Sequence, residues 1–177
     1  GMIVLMSREL VIYCDESLKK GEFYSNFYGG VLVESADLDP VIKKLEARRD
    51  DLGLRGELKW QGVARGVRPG YEAMMTTFFS LVAARTVRVR IMCTQNQHVP
   101  VLTSEQRATS YHRLYYQLIK QAFGLEYAGI PGGSTRVRLL LDKMPASKKD
   151  IAVFRSCLAN LSYRPEFHRA GIVVPAD

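Results

Sequence analysis

The chain alternates short, almost wholly apolar segments with amphipathic ones, and this alternation restricts the folds that it can adopt. Five segments have the length and β-branched content of strands, and four have the periodicity of helices. Their order is β-β-α-α-β-α-β-α-β. Helices that alternate with buried strands predict an α/β fold with a mixed sheet, in a single domain over residues 3–177. The first two strands are expected to pair as a hairpin, and the later ones to run parallel to the first.

The boundaries of these elements follow from local signals. Asp39 and Pro40 are expected to begin the first helix and Gly53 to end it. Pro69 is expected to begin the second helix and Gly124 to end the third. The strands are predicted at residues 9–14, 23–33, 86–93, 136–142 and 172–174. The second helix is expected to bury an apolar stripe made of Met74, Met75, Phe78, Phe79 and Val82.

Acidic residues recur where apolar segments end. Asp15 follows the first strand in the sequence VIYCDES, and Asp142 closes the strand RVRLLLD. Glu57 lies beside the single tryptophan in GELKW, and Asp177 follows the apolar VVPA. Ligands of open α/β sheets bind at the carboxyl ends of the strands, so Asp15 and Asp142 would meet there if their strands are neighbours.

Several convergent carboxylates are the ligands that Mg²⁺ and Mn²⁺ prefer. Two such ions can activate a water and stabilise the leaving oxygen of a phosphodiester. Each acid also has a structural interpretation, because Asp15 with Ser17 can form a turn after a strand and Asp142 can end one. Glu16 would face away from Asp15 if the strand continues, so at most one of the two points into a site.

The positive charge is concentrated in the second half of the chain. Residues 1–80 carry 11 Lys/Arg and 12 Asp/Glu, whereas residues 81–177 carry 14 and 6. This surplus favours a polyanion such as nucleic acid as partner, although it is also typical of a surface that is merely well solvated. A basic track could be formed by arginines of two strands: Arg88, Arg90, Arg136 and Arg138.

Other functional classes find little support in the sequence. No apolar run reaches the roughly 20 residues of a membrane helix. The three cysteines form no CxxC pair and are expected to be buried thiols of a cytoplasmic protein. No two histidines have metal-ligand spacing, and no Ser-His-Asp arrangement is evident. His112 lies on a predicted amphipathic helix and is expected to be a residue of the surface, or of the boundary between surface and core, rather than a catalytic base.

The segments YCDES, FYGGVLV, ELKW and LLLD, in this order, resemble the bacterial domain-of-unknown-function 3800 family. The resemblance covers residues 9 to about 145. It implies a ribonuclease H-like fold, with a mixed central sheet and helices on both faces, and a metal-dependent nuclease or a relative of one. In that family a helix follows the C-terminal acid, so the chain is expected to be truncated at its C-terminus.

By position, the resemblance implies Asp15, Glu57 and Asp142 as catalytic metal ligands for Mg²⁺ or Mn²⁺. Asp177 matches the fourth acid of the family only weakly. Lys59 would contact phosphate or balance charge, and Arg136 and Arg138 are candidate nucleic-acid contacts. Two alternatives remain open: a non-catalytic nucleic-acid-binding or defence-associated module on the same fold, and an oligomerising structural protein whose acids merely end strands.

Overall fold

A mixed five-stranded sheet organises the fold. The computed structural model describes residues 6–98, 101, 103–142 and 148–175. The strand order in the sheet is β3-β2-β1-β4-β5, so β1 is central. The strands are β1 (Ser7–Lys20), β2 (Tyr24–Glu34), β3 (Val87–Gln95), β4 (Ser134–Leu141) and β5 (Ile172–Val173).

Parallel and antiparallel pairs meet at β1. On one side β1 pairs in parallel with β4, which pairs in parallel with β5. On the other side only residues 21–23 connect β1 to its neighbour β2, too few for a parallel crossover, so the pair is an antiparallel hairpin. The backbone N–H of Asn96 bonds to Phe23, and the Thr94 hydroxyl bonds to Ser25. Residue numbers therefore fall along β3 as they rise along β2, which makes that pair antiparallel too.

Five helices accompany the sheet in the described part of the chain. They are α1 (Ser35–Asp51), α2 (Arg68–Ala83), α3 (Ser104–Gln117), α4 (Lys148–Ala159) and α5 (Pro165–Arg169). A π-helical stretch, Leu118–Ala122, continues α3. None of the helices in the described residues combines the length and the apolar character that a membrane span needs. The α/β class and the order of the main elements predicted from the sequence are confirmed.

The chain divides into two compact units. The first comprises residues 1–32 and 89–177, and the second comprises residues 33–88. The first unit holds most of the sheet together with α3, α4 and α5, whereas the second holds α1, α2 and the connection between them. Asp15 and Asp142 belong to the first unit, and Glu57 and Lys59 belong to the second.

One face of β1 lies against the main core of the first unit. Leu10, Ile12 and Cys14 point into it, while Val11, on the opposite face, is also fully buried. Burial on both faces is what the uninterrupted apolar run of a central strand predicts. From the helices and the connections between them, the core receives Tyr115, Leu118, Ile119, Phe123, Leu125, Phe154, Leu158, Leu161 and Phe167.

The first strand is longer than predicted, and this changes the position of Asp15. We expected the strand to end near Asp15, but β1 continues to Lys20. The hairpin with β2 accounts for the extension, because it closes only at the hydrogen bond from Gly21 N–H to the Tyr24 carbonyl (3.0 Å). Asp15 therefore lies within β1, just beyond the part that pairs with β4.

The start of the first helix was predicted too late. The helix α1 begins at Ser35, and Pro40 lies inside it. Pro40 is the sixth residue of α1 and removes only one backbone hydrogen bond near the start of the helix, so the helix tolerates it. Its end agrees with the prediction, since Gly53 follows the last turn with a φ of 64°.

Two expectations about burial were wrong in part. Only Cys14 is a buried thiol, and burial raises its pKa to about 12, whereas Cys93 and Cys157 are exposed. In α2, Met74 is buried, but Met75 and Phe79 are exposed by 43% and 57%. Part of the apolar stripe of α2 is therefore not covered by other described residues and is exposed to solvent.

A close backbone approach near β5 provides a test of the fold. A Cβ on Gly129 would clash with the Ala170 carbonyl oxygen. We expect Gly129→Ala to lower the free energy of unfolding by about 1–3 kcal/mol, because backbone must move to admit the methyl group. Gly66→Ala is the matched control, since a Cβ there would meet no described atom within 4 Å beyond its chain neighbours, and the variant should be neutral or slightly stabilised. Urea unfolding of both variants checks this, and equal stabilities would contradict the close approach of Gly129 to Ala170.

Candidate functional site

Two predicted site residues, Asp15 and Asp142, follow the last register pair of β1 and β4. The ladder runs from Ser7 opposite Ser134 to Cys14 opposite Leu141. The Asp142 backbone N–H then donates to the Cys14 carbonyl at 3.4 Å. Both acids are exposed. The prediction that their strands are neighbours, with β1 at the centre of the sheet, is confirmed.

The sheet face that carries Asp15 is accessible around Asp15, although Val11, further back on the same face, is fully buried. Tyr13 and Leu140 are register partners and share this face, and they are exposed by 41% and 37%. Asp15 lies two residues after Tyr13, so its side chain projects from the same face. One of its carboxylate oxygens accepts a hydrogen bond from the Glu16 backbone N–H at 2.8 Å. The Asp15 carboxylate is thus oriented by the backbone and accessible to a ligand.

Glu16 points to the other face of the sheet, where hydroxyl groups bind it. The hydroxyl of Tyr111 donates to one Glu16 oxygen at 2.9 Å, and the hydroxyl of Tyr115 donates to the other. Both tyrosines lie on α3, four residues apart, and so project from the same side of the helix. Two neutral donors stabilise a half-buried carboxylate that would otherwise be poorly solvated.

A third tyrosine, Tyr28 of β2, completes this cluster. Its ring lies edge-on to Tyr115, with 4.8 Å between centroids, and to Tyr111, with 6.0 Å. Tyr28 is fully buried, and its hydroxyl has no hydrogen-bond partner among the described residues. Burial, and secondarily the charge of Glu16, raises the pKa of Tyr28 to about 12. The pKa values of Tyr111 and Tyr115 are also raised, first by burial and then by their hydrogen bonds to Glu16.

His112 lies next to the cluster, in a half-buried position. Its ring stacks on Phe154 with 4.8 Å between centroids and 19° between planes. Burial lowers the pKa of His112, while the Asp150 carboxylate acts in the opposite direction. The expectation of a boundary residue fits this position, and an imidazole that is kept largely neutral packs well against Phe154.

The remaining predicted ligands are not joined to Asp15 and Asp142 by the described contacts. Glu57 belongs to the second unit, where its carboxylate lies 2.9 Å from the Lys59 ammonium, with both side chains exposed. The hydrogen bond to Glu57 raises the pKa of Lys59. Asp177 lies outside the described residues. Across the described ranges, no three His, Cys, Asp or Glu side chains form a metal-sized group, and the four-carboxylate site remains a prediction.

The two arginines predicted to contact nucleic acid lie on the same sheet face as Asp15. Arg136 and Arg138 approach the Glu9 carboxylate at 3.9 and 3.4 Å, and all three side chains are partly exposed. Arg138 precedes Asp142 by four residues, or about 13 Å along the strand. Exposed ion pairs of this kind contribute little to stability, so the arginines can exchange Glu9 for a phosphate at small cost.

The contact of Glu16 with the tyrosine cluster was not predicted, although the sequence indicated two of its components. The alternation along β1 indicated that Glu16 faces away from Asp15, and Tyr111 and Tyr115 are four residues apart, the spacing of two side chains on one side of a helix. What the sequence could not supply was the packing of α3 against this part of β1, which brings the three groups into contact.

No protein-family model, curated protein or solved structure matches the chain at a significant level. The resemblance to the domain-of-unknown-function 3800 family therefore stays a prediction from short motifs, and the site has to be interpreted from its own geometry.

The tyrosine cluster predicts opposite effects for two similar substitutions. Tyr115→Phe removes a hydrogen bond to a carboxylate and should lower the free energy of unfolding by about 1.5–3 kcal/mol. Tyr28→Phe removes a buried hydroxyl without a described partner and should be neutral or stabilising. Both residues are fully buried and both lose only an oxygen, so each controls for the other in urea unfolding. Equal losses in the two variants would show that the Tyr28 hydroxyl is bonded in solution.

The raised tyrosine pKa values predict a loss of stability at alkaline pH. A tyrosine whose pKa is higher in the folded protein than in the unfolded chain favours folding fully below pH 10. That contribution is lost as the pH rises from 10 towards 12. The ultraviolet absorbance of tyrosinate should therefore show three of the nine tyrosines ionising late, together with unfolding. Tyr115→Phe should reduce this late fraction by one tyrosine, and ionisation of all nine without unfolding would contradict the burial of the cluster.

Proposed function

We propose that the protein is a divalent-metal-dependent nuclease with a ribonuclease H-like fold. The observation that supports this most is the position of Asp15 and Asp142, which follow the last register pair of two adjacent parallel strands at the centre of the sheet. The strand order, with an antiparallel hairpin on one side of β1 and parallel strands on the other, also suits such a fold.

The exposed carboxylates of Asp15 and Asp142 suit Mg²⁺ or Mn²⁺, since these ions bind oxygen ligands and keep several waters. Glu57 and Asp177 are proposed as further ligands on the strength of the sequence motifs alone. A bound ion of this kind supplies an activated water and stabilises charge on a phosphodiester. Two exposed carboxylates on adjacent strands are a chemically suitable start for such a site.

The chain's own residues would hold and orient the substrate. Arg136 and Arg138 lie on the face of Asp15, and they offer guanidinium groups to the phosphates of a strand that crosses this face. Tyr13 and Leu140 leave the face open and partly apolar between the arginines and the acids. The Glu16 N–H fixes one oxygen of Asp15, so the carboxylate needs little reorientation to bind a ligand.

Asp15→Asn tests the metal site. The amide oxygen can keep the hydrogen bond from the Glu16 N–H, so the fold should remain intact without metal. Wild-type protein at a hundredfold excess of Mn²⁺ over Kd should gain about 2.7 kcal/mol, or roughly 5–10 °C in Tm. The variant should gain little and should cleave neither DNA nor RNA.

Asp39→Asn is the matched control, because it removes an exposed carboxylate from α1 and should respond to Mn²⁺ like the wild type. Thermal melts with and without Mn²⁺, beside cleavage of labelled DNA and RNA, provide the measurement. If the wild type gains no stability from Mn²⁺ and cleaves nothing, the nuclease proposal fails. Nucleic-acid binding without cleavage would then favour the non-catalytic alternative.

A further inference from the structure

The second unit contains a groove that neither the fold nor the acidic site explains. It has a volume of about 920 Å³ and lies between α2 and the connection that precedes it. Its size falls within the range of small-molecule sites. The lining is mostly apolar, with a single charged pair, and includes Leu58, Trp60, Tyr71, Met75, Arg68 and Glu72.

Trp60 is the most unusual residue of this groove. It is the only tryptophan of the chain, and it is 88% exposed. A large aromatic side chain is costly to leave in water, and exposed tryptophans are typical of binding surfaces. Trp60 is nevertheless not in a loose loop. It begins a 3-10 turn in which the Gly62 N–H bonds to the Lys59 carbonyl at 2.9 Å.

The turn is packed against α2, and this contact fixes the position of the Trp60 backbone. A Cβ on Gly62 would lie 3.2 Å from the Tyr71 hydroxyl, and a Cβ on Gly70 would lie 3.3 Å from the Leu54 side chain. The segment before α2 therefore contacts that helix at two points. Trp60 is presented to solvent from an ordered backbone, with Tyr71 and Met75 beside it in the groove.

The charge around the groove favours an anion that carries apolar rings. Residues 54–72, which include the groove's Glu72, contain four Arg/Lys and two Glu, a net charge of +2. Lys59 pairs with Glu57 and Arg68 pairs with Glu72, but all four side chains are more than 60% exposed, so a competing phosphate can replace these pairs. Arg55 and Arg65 are exposed on the same segment.

We infer that the groove binds unpaired bases of a single-stranded nucleic acid, with Trp60 stacking on a base. Aromatic stacking needs a free base face, which a strand offers and a duplex does not, and cationic side chains beside the ring would contact the sugar-phosphate backbone. This inference rests on the proposed function, which supplies nucleic acid as the class of ligand. It adds a preference for single strands over duplexes.

Because Trp60 is the only tryptophan, its fluorescence reports on this groove alone. An oligodeoxythymidine of about ten nucleotides, added in EDTA to prevent cleavage, should quench the emission saturably. An abasic oligomer of the same length and charge should bind at least tenfold more weakly, and so should a duplex of the same length. Equal quenching by all three, or none, would overturn the inference.

Substitutions separate stacking from charge. Trp60→Ala should weaken binding of a dye-labelled oligomer about 5- to 100-fold, measured by anisotropy, without changing the dependence on salt. Arg65→Ala should instead reduce the slope of log K against log salt by about one. Tyr163→Ala is the matched control, since Tyr163 is 79% exposed but belongs to the first unit, and it should bind normally.

The same experiment distinguishes the inference from the proposed nuclease. Quenching without cleavage in Mn²⁺ would support base binding in the groove and contradict the proposed nuclease. Cleavage without quenching would support the nuclease and contradict base binding in the groove. A blue shift of Trp60 emission that grows with protein concentration, in the absence of oligomer, would show that a second copy of the chain covers the groove. That result would also overturn the inference.

Discussion

The parallel pairing of β1 with β4 is the constraint on which the rest of the first unit depends. A parallel pair at the centre of a sheet has to be covered, and residues 10–12 of β1 are buried on both faces. The pairing ends at Cys14 and Leu141, because β4 stops there while β1 continues in its hairpin with β2. The place where one partner stops is where Asp15 and Asp142 become accessible. The candidate site is thus a consequence of two strands of unequal length.

Beyond that point, the pleat of β1 gives adjacent acids two different environments. Asp15 faces solvent, with Tyr13 on the same side, whereas Glu16 faces the hydroxyls of Tyr111 and Tyr115. A half-buried carboxylate is costly without donors, so the tyrosines stabilise Glu16 in one place. Because Glu16 immediately follows Asp15, holding Glu16 also limits how far Asp15 can move.

Periodicity was sufficient to predict the class of the fold and the order of its elements, since buried strands and amphipathic helices leave different patterns. It also placed Asp15 and Asp142 on neighbouring strands, because both strands are apolar enough to be central. The end of β1 was not predictable, since Asp15, Glu16 and Ser17 indicate a turn unless the pairing with β2 is known. The start of α1 was missed because Pro40 mimics a first-turn proline. The exposure of Met75 and Phe79 depends on which elements pack against α2, and the apolar pattern of the helix alone does not specify those elements.

The described residues of the two units carry different chemistry. The first unit offers the exposed carboxylates of Asp15 and Asp142 and, on the face of Asp15, the cationic side chains of Arg136 and Arg138. The second offers an exposed indole on an ordered turn and a net positive segment, but within residues 54–69 it has only one carboxylate, and that one is paired with Lys59. Phosphate chemistry suits the former and base recognition the latter. Base stacking adds about 1–3 kcal/mol per base, whereas exposed charges add affinity that salt removes, so binding at the Trp60 groove should depend less steeply on salt than binding through arginines alone.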